Sequence, residues 1–196
     1  MSFEIQPVAC DPSRLAGLSE KLITSHYENN YAGAVKRLNA ITAQLAEIDV
    51  STAPAFVLNG LKREELIAAN SMILHEIYFE SLGASESVSG PLETALMRDF
   101  GSVERWHAEF SAMGKALGGG SGWVPLSWSP RLGKLVNQWA SDHAHTLADG
   151  VPILALDMYE HSYHIDFGAK AGAYVDAFMQ NVNWQKVKTR FEALII

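Results

Sequence analysis

"VPILALDMYEH", residues 151–161, is the stretch on which the fold turns. An apolar run of strand length ends at Asp157, and His161 follows four residues later. If a helical turn begins directly after the strand, positions i and i+4 face the same way, and a carboxylate and an imidazole converge at the end of a buried strand. The same letters also read as a helix start. Asp157 as N-cap with Glu160 three residues on is a capping-box variant, and it leaves His161 as a first-turn histidine with no further role. This stretch alone keeps both readings open.

Upstream, "GGGSGWVPLSWSP" (118–130) changes the texture of the chain: glycines clear the way for a close backbone approach. Strands are predicted over about 122–128, 133–139 and 152–157. Helices flank them, at about 91–100, 102–117, 170–180 and 183–194. The first half is helical throughout. From about Pro12 to Ile48 apolar residues recur at three- and four-residue spacing, "DVSTAPAF" (49–56) interrupts the pattern, and a second helix runs from about Lys62 to Leu82 with Gly83 as its C-terminal cap. Two helices and a short connection make an antiparallel hairpin. The expected fold is therefore α+β: an N-terminal helical hairpin domain, 1–85, then a C-terminal α/β domain, 86–196, with a three-stranded antiparallel sheet. "GASESVSGP" (83–91) is the expected boundary, with a metal site between the two domains.

Composition narrows the function. At 196 residues the chain can bury a sizeable core without disulfides, and Cys10 is its one cysteine, so neither a disulfide framework nor a thiolate zinc site is available. A net charge of −7 argues against a general nucleic-acid binder. A small anionic substrate would be repelled unless the local field were positive. No basic segment followed by an apolar core opens the chain, and no apolar run approaches the roughly 20 residues that span a bilayer. A reducing cytoplasm is the expected compartment.

His26 and His75, each alone on a helix, read as ordinary helical histidines. Their arrangement changes that reading, because each sits mid-helix at a depth where two antiparallel helices present side chains to one layer. Three imidazoles and one carboxylate, without a thiolate, suit iron or manganese, and His₃ sites also accept zinc.

Four segments in order resemble the iron/manganese superoxide dismutase family. "DMYEHSYHIDF" (157–167) is similar to its Asp-x-Trp-Glu-His signature with Tyr159 for Trp; "GSGWVPL" (120–126) resembles its Gly-Ser-Gly-Trp strand entrance. "HEIYFESLG" (75–83) resembles the segment after its second ligand, with Phe79 for Trp, and "VNW" (182–184) recurs near the C-terminus. The spacing from His26 to Leu38-Asn39 also matches. The resemblance implies metal ligands His26, His75, Asp157 and His161, completed by a solvent molecule, around one Fe or Mn ion that alternates between +2 and +3. It implies superoxide as substrate, with dioxygen and hydrogen peroxide as products. His143 falls where some members place the side chain that hydrogen-bonds the bound solvent, and Ser71 stands where many iron enzymes have Gln. That pattern leans towards iron. Tyr163 falls at the downstream catalytic Tyr or His.

The entrance departs from the pattern. The family's His and Tyr, four and eight residues after the first ligand, are Asn30 and Ala34 here, and the expected Arg is Ala171, next to Lys170. On a regular helix Tyr27 and Tyr31 lie about 100° and 140° from His26, off its stripe. A one-for-one exchange is therefore not expected, and Tyr31 on a distorted helix, or His164 of a second subunit, are the neighbours left to substitute. Two functions are compatible with this pattern: a superoxide dismutase with a rebuilt entrance, or a metal-binding relative with weak or no dismutase activity and a redox or metal-storage role. A scaffold that has lost its metal is disfavoured, because Asp157 buried among imidazoles would be costly. By the same resemblance Glu160 orients His161 across a two-fold axis, which implies a homodimer.

Overall fold

The computed structural model describes residues 2–83 and 86–195. The expected domain boundary between Ser85 and Glu86 touches Ala84 and Ser85, which lie outside the described residues. The chain forms helices α1 (Glu20–Ser25), α2 (Ala32–Glu47) and α3 (Ala55–Glu80), then α4 (Pro91–Phe100) and α5 (Val103–Ala116). Strands β1 (Trp123–Ser129), β2 (Lys134–Asn137) and β3 (Val151–Asp157) come next, and α6 (His164–Phe167), α7 (Ala171–Gln180) and α8 (Trp184–Glu192) end it. The expected α+β architecture is present.

The single long helix expected from Pro12 is subdivided. A short 3-10 turn covers Pro12–Arg14, Gly17 takes φ +73°, and α1 starts only after Ser19, whose hydroxyl accepts from Leu22 N at 3.1 Å. Between α1 and α2 the residues His26–Tyr31 form a π-helical turn. There hydrogen bonding slips to i+5, so one extra residue enters the turn and rotates the downstream helix face by about 100°. Apolar spacing carries no sign of this slip, because Leu22, Ile23, Val35 and Leu38 are buried on both sides of it.

α3 starts at Ala55 rather than near Lys62. Pro54, extended at φ −56° and ψ 132°, supplies its carbonyl to Val57 N and Leu58 N, so the proline launches the helix it was expected only to interrupt. α2 and α3 pack as the expected hairpin, and α3 also lies on β3. The end of α3 is tied to the C-terminal segment: Gly83 N donates to Asn181 O at 3.0 Å and Asn183 N to Ser81 O at 2.7 Å. The helix is capped at Ser81 rather than at the expected Gly83, which follows two residues later at φ +150°, beside the Leu82–Val182 bridge.

The sheet is antiparallel with order β2-β1-β3. Both faces of the central strand are covered, and Trp123, Val124 and Leu126 have no exposed surface. β2 is shorter than expected because the chain leaves the ladder after Asn137 and returns as a single bridge, Trp123 to Ala140. The register sets Trp123 opposite Asp157. It thereby brings the indole beside the carboxylate at the end of β3.

Candidate metal centre

The four expected ligands meet. His26 arrives from the π turn, His75 from the C-terminal part of α3, Asp157 from the end of β3 and His161 from the 3-10 turn Glu160–Ser162. One donor atom from each lies within 4.8 Å of all the others. His26, His75 and Asp157 are buried and His161 is partly so.

Of the two readings of the 151–161 stretch, the convergence of carboxylate and imidazole is realised and the capping box is not. Asp157 Oδ1 accepts from Tyr159 N at 2.9 Å, an Asx turn rather than a helix N-cap, because the 3-10 turn starts two residues later than a cap at Asp157 requires. Asp157 Oδ2 faces the imidazoles: His26 Nε2 and His161 Nε2 are each 3.1 Å away and His75 Nε2 is at 3.5 Å. Ser162 Oγ donates to Asp157 O at 2.9 Å and closes the turn that aims His161 back at the strand end.

Protonation is set by the partners. His75 Nδ1 lies 2.6 Å from Ser71 O, a carbonyl that can only accept, so Nδ1 carries the proton and Nε2 holds a lone pair. Burial, then repulsion from His26, pushes His75 down to about 3, which keeps it neutral. Burial also lowers His26, against the pull of Asp157. Burial alone would raise the Asp157 carboxyl, but the charge and hydrogen bond of His161, with those of His26, hold it well below the usual carboxylate range. His75 Nε2 is thus a buried, unpartnered lone pair facing a carboxylate oxygen. Two lone pairs opposed in a dry interior are unfavourable unless a cation lies between them. Donors about 2.0–2.2 Å from one ion stand roughly 3–4 Å apart, so the cluster fits a first-row metal and its oxygen–nitrogen set suits iron or manganese.

A cavity of about 250 Å³ leads to this cluster, with His75, His161 and His143 in its lining and Arg37 among the wall residues. Asn30, Gly33, Ala34 and Arg37 line it at i, i+3, i+4 and i+7, one continuous stripe of the helix. Ala68 and Ser71 of α3 complete a wall of small side chains. His143 is set firmly. Trp123 Nε1 donates to His143 Nδ1 at 2.8 Å, which leaves the proton of the neutral ring on Nε2. Asn70 Nδ2 donates to His143 O at 2.6 Å. The ring stacks on Tyr159 at 4.7 Å between centroids, and Tyr159 stacks on His161 at 5.3 Å, so Tyr159 joins the two histidines into one column.

The remaining expected residues lie outside this lining. Tyr163 is buried against Tyr174, with its hydroxyl 3.4 Å from Gly119 N. Glu160 and His164 are exposed, as is Lys170, while Ala171 is buried. The π slip does turn Tyr31 inward, to 6.5 Å from the His75 ring. Its hydroxyl is occupied elsewhere, accepting from Gln6 N at 2.8 Å and donating to Glu76 at 3.0 Å, so it does not replace the missing entrance tyrosine. Arg37 escaped the sequence reading, although it stands on the same stripe as Asn30 and Ala34, one turn further on.

The model for iron/manganese superoxide dismutases, C-terminal domain, matches residues 88–190. An iron superoxide dismutase of Cupriavidus metallidurans is 74% identical over 100% of this chain and 99% of its own length. A manganese superoxide dismutase of Halobacterium salinarum is 33% identical, covering 97% of this chain and 95% of its own. An iron superoxide dismutase of Aquifex pyrophilus is 32% identical over 92% and 87%.

Proposed function

The chain belongs to the iron/manganese superoxide dismutase family, and on that premise we propose how its residues serve the disproportionation of superoxide. The activity is that of a superoxide dismutase with one iron or manganese ion per chain: two superoxide anions and two protons become one dioxygen and one hydrogen peroxide. Iron is our reading for the resident metal, following the relative from Cupriavidus metallidurans. Once bound, the ion supplies a one-electron couple between its +2 and +3 states.

His26, His75, Asp157 and His161 would hold the ion. The lone pair on His75 Nε2, opposed to Asp157 Oδ2, is the observation that carries this assignment. Ser71 O fixes the tautomer of His75, and the Asx turn leaves Asp157 one oxygen for the site. His143 is the residue to which we assign proton handling, because it lines the cavity and the Trp123 donor on Nδ1 keeps the proton of the neutral ring on Nε2. Burial keeps His143 below its ordinary value and therefore neutral, as that role requires. Tyr163, away from the cavity, would act on the reaction only by packing.

We read the assembly as a homodimer in which the exposed Glu160 of each subunit orients the other's His161, supported by the absence of a partner for that carboxylate among the described residues. A division into domains 1–85 and 86–196 suits donors that come from both halves. Among the described residues no helix is long and apolar enough to cross a membrane. A cytoplasmic setting is our reading from the single cysteine.

The test is elemental analysis of the purified protein beside an assay of superoxide dismutation. About one iron per chain, with activity proportional to iron content across partly loaded samples, is expected. Fully loaded protein no more active than free iron would overturn the proposal.

A further inference from the structure

We propose that Arg37 is the anion-capture residue of this enzyme, stationed in the wall of the cavity that leads to His75 and His161. The inference rests on superoxide being the substrate and adds the residue that brings it in. Superoxide is an anion and the chain carries −7, so the mean field opposes its approach. A cavity that admits it needs a local positive field.

The lining supplies one. It consists of Asn29, Asn30, Gly33, Ala34, Arg37, Ile67, Ala68 and Ser71 with three histidines, and among the described residues Arg37 is its one fixed charge. Among the described residues no carboxylate is in the lining, and the nearest to Arg37 is its ion-pair partner Glu64. The other cation nearby in sequence on this helix, Lys36, is exposed and outside the lining. Lys170 is likewise outside it, and the neighbouring position 171 is a buried alanine.

The backbone stripe explains how the guanidinium reaches this place. Position 37 lies one turn beyond Ala34 on the face that Asn30 and Gly33 share, and neither Gly33 nor Ala34 has the bulk to separate it from the cavity. A Cβ added at Gly33 would meet nothing within 4 Å. Glu64 of α3 pairs with Arg37 Nη2 and holds the side chain at the mouth. That pair offsets part of the charge but engages one of the five guanidinium donors, and Nη1 and Nε, with no partner among the described residues, keep theirs for an incoming anion.

The experiment compares Arg37→Gln with Lys36→Gln in the iron-loaded protein, two equal changes of net charge one residue apart. Two measurements are made at low and at physiological ionic strength: kcat/KM for superoxide, and the Kd of azide, a small monovalent anion, read from the absorbance of the iron. Arg37→Gln should lower kcat/KM and weaken azide binding about 3- to 10-fold at low salt, and flatten the salt dependence of both. kcat and iron content should stay unchanged. Lys36→Gln should move either quantity less than twofold, and Arg37→Lys should retain most of the wild-type affinity. Equal effects of the two Gln variants, or azide affinity unaltered in Arg37→Gln, would overturn the proposal. Wild-type protein that binds azide in an Arg37-dependent way yet does not dismutate superoxide would count against the activity and leave the capture site standing.

Discussion

Trp123→Phe isolates the hydrogen bond on which the His143 assignment rests. Trp123 is fully buried, its Nε1–H donates to His143 Nδ1 at 2.8 Å, and its ring meets His75 edge-on at 5.1 Å. Phenylalanine keeps an aromatic ring against His75 and removes the donor. The stability change has two parts. Leaving His143 Nδ1 without its donor in a largely buried place costs about 1–3 kcal/mol. The indole volume left empty, about 40 Å³ at about 24 cal/mol per Å³, adds ~1 kcal/mol. A total of about 2–4 kcal/mol should appear as a shifted urea midpoint with an unchanged slope. Without the indole, the proton of the neutral His143 ring is free to sit on Nδ1, which takes the Nε2–H donor from the cavity in part of the population. Dismutation per bound metal should then fall about tenfold, well short of the 10²–10⁴ of a full acid–base contribution. The assays are urea unfolding, metal content and superoxide turnover on one preparation. A fully loaded Trp123→Phe protein with wild-type turnover would refute the tautomer argument, whatever its stability.

Three further outcomes are expected. Gly122→Ala places a Cβ 2.2 Å from Ala140 O at a residue with φ +136°, so the Trp123–Ala140 bridge must open; a loss of roughly 2–4 kcal/mol is expected, and a change below about 1 kcal/mol in urea unfolding would contradict the geometry. The metal-free protein should lose stability as pH falls from the ordinary histidine value of 6.5 towards the value of about 3 held by His75, since over that window the unfolded chain binds a proton that the folded one refuses. His26 and His143, both lowered by burial, add in the same direction, and stability in unfolding titrations that held constant from pH 7 to 4 would exclude it. Glu160→Ala should shift sedimentation towards monomer and reduce retained metal, whereas a stable, fully metallated dimer from that variant would count against the bridge.

The parts of this protein legible in its sequence are those fixed by near neighbours along the chain. An apolar run that stops at Asp157, with His161 one turn later, already contains the strand, the turn and two of the four donors, because i and i+4 are brought together by the backbone itself. Helix periodicity located α4, α5 and the bodies of α2 and α3, though neither the break before α1 nor the start of α3, and glycine chemistry located the entrance to β1. The π slip at His26–Tyr31 left no such trace, since it changes hydrogen bonding without changing which residues are apolar. Only the packed chain shows that Tyr31 commits its hydroxyl to Glu76, 45 residues away, that Trp123 selects the tautomer of His143, and that His26 meets Asp157 across 131 residues. Arg37 belongs to both worlds. Its stripe was readable from spacing, but its standing as the one fixed charge of the cavity depends on α3 and on the loop that carries His143, and those surroundings are set by packing between distant segments rather than by local preference.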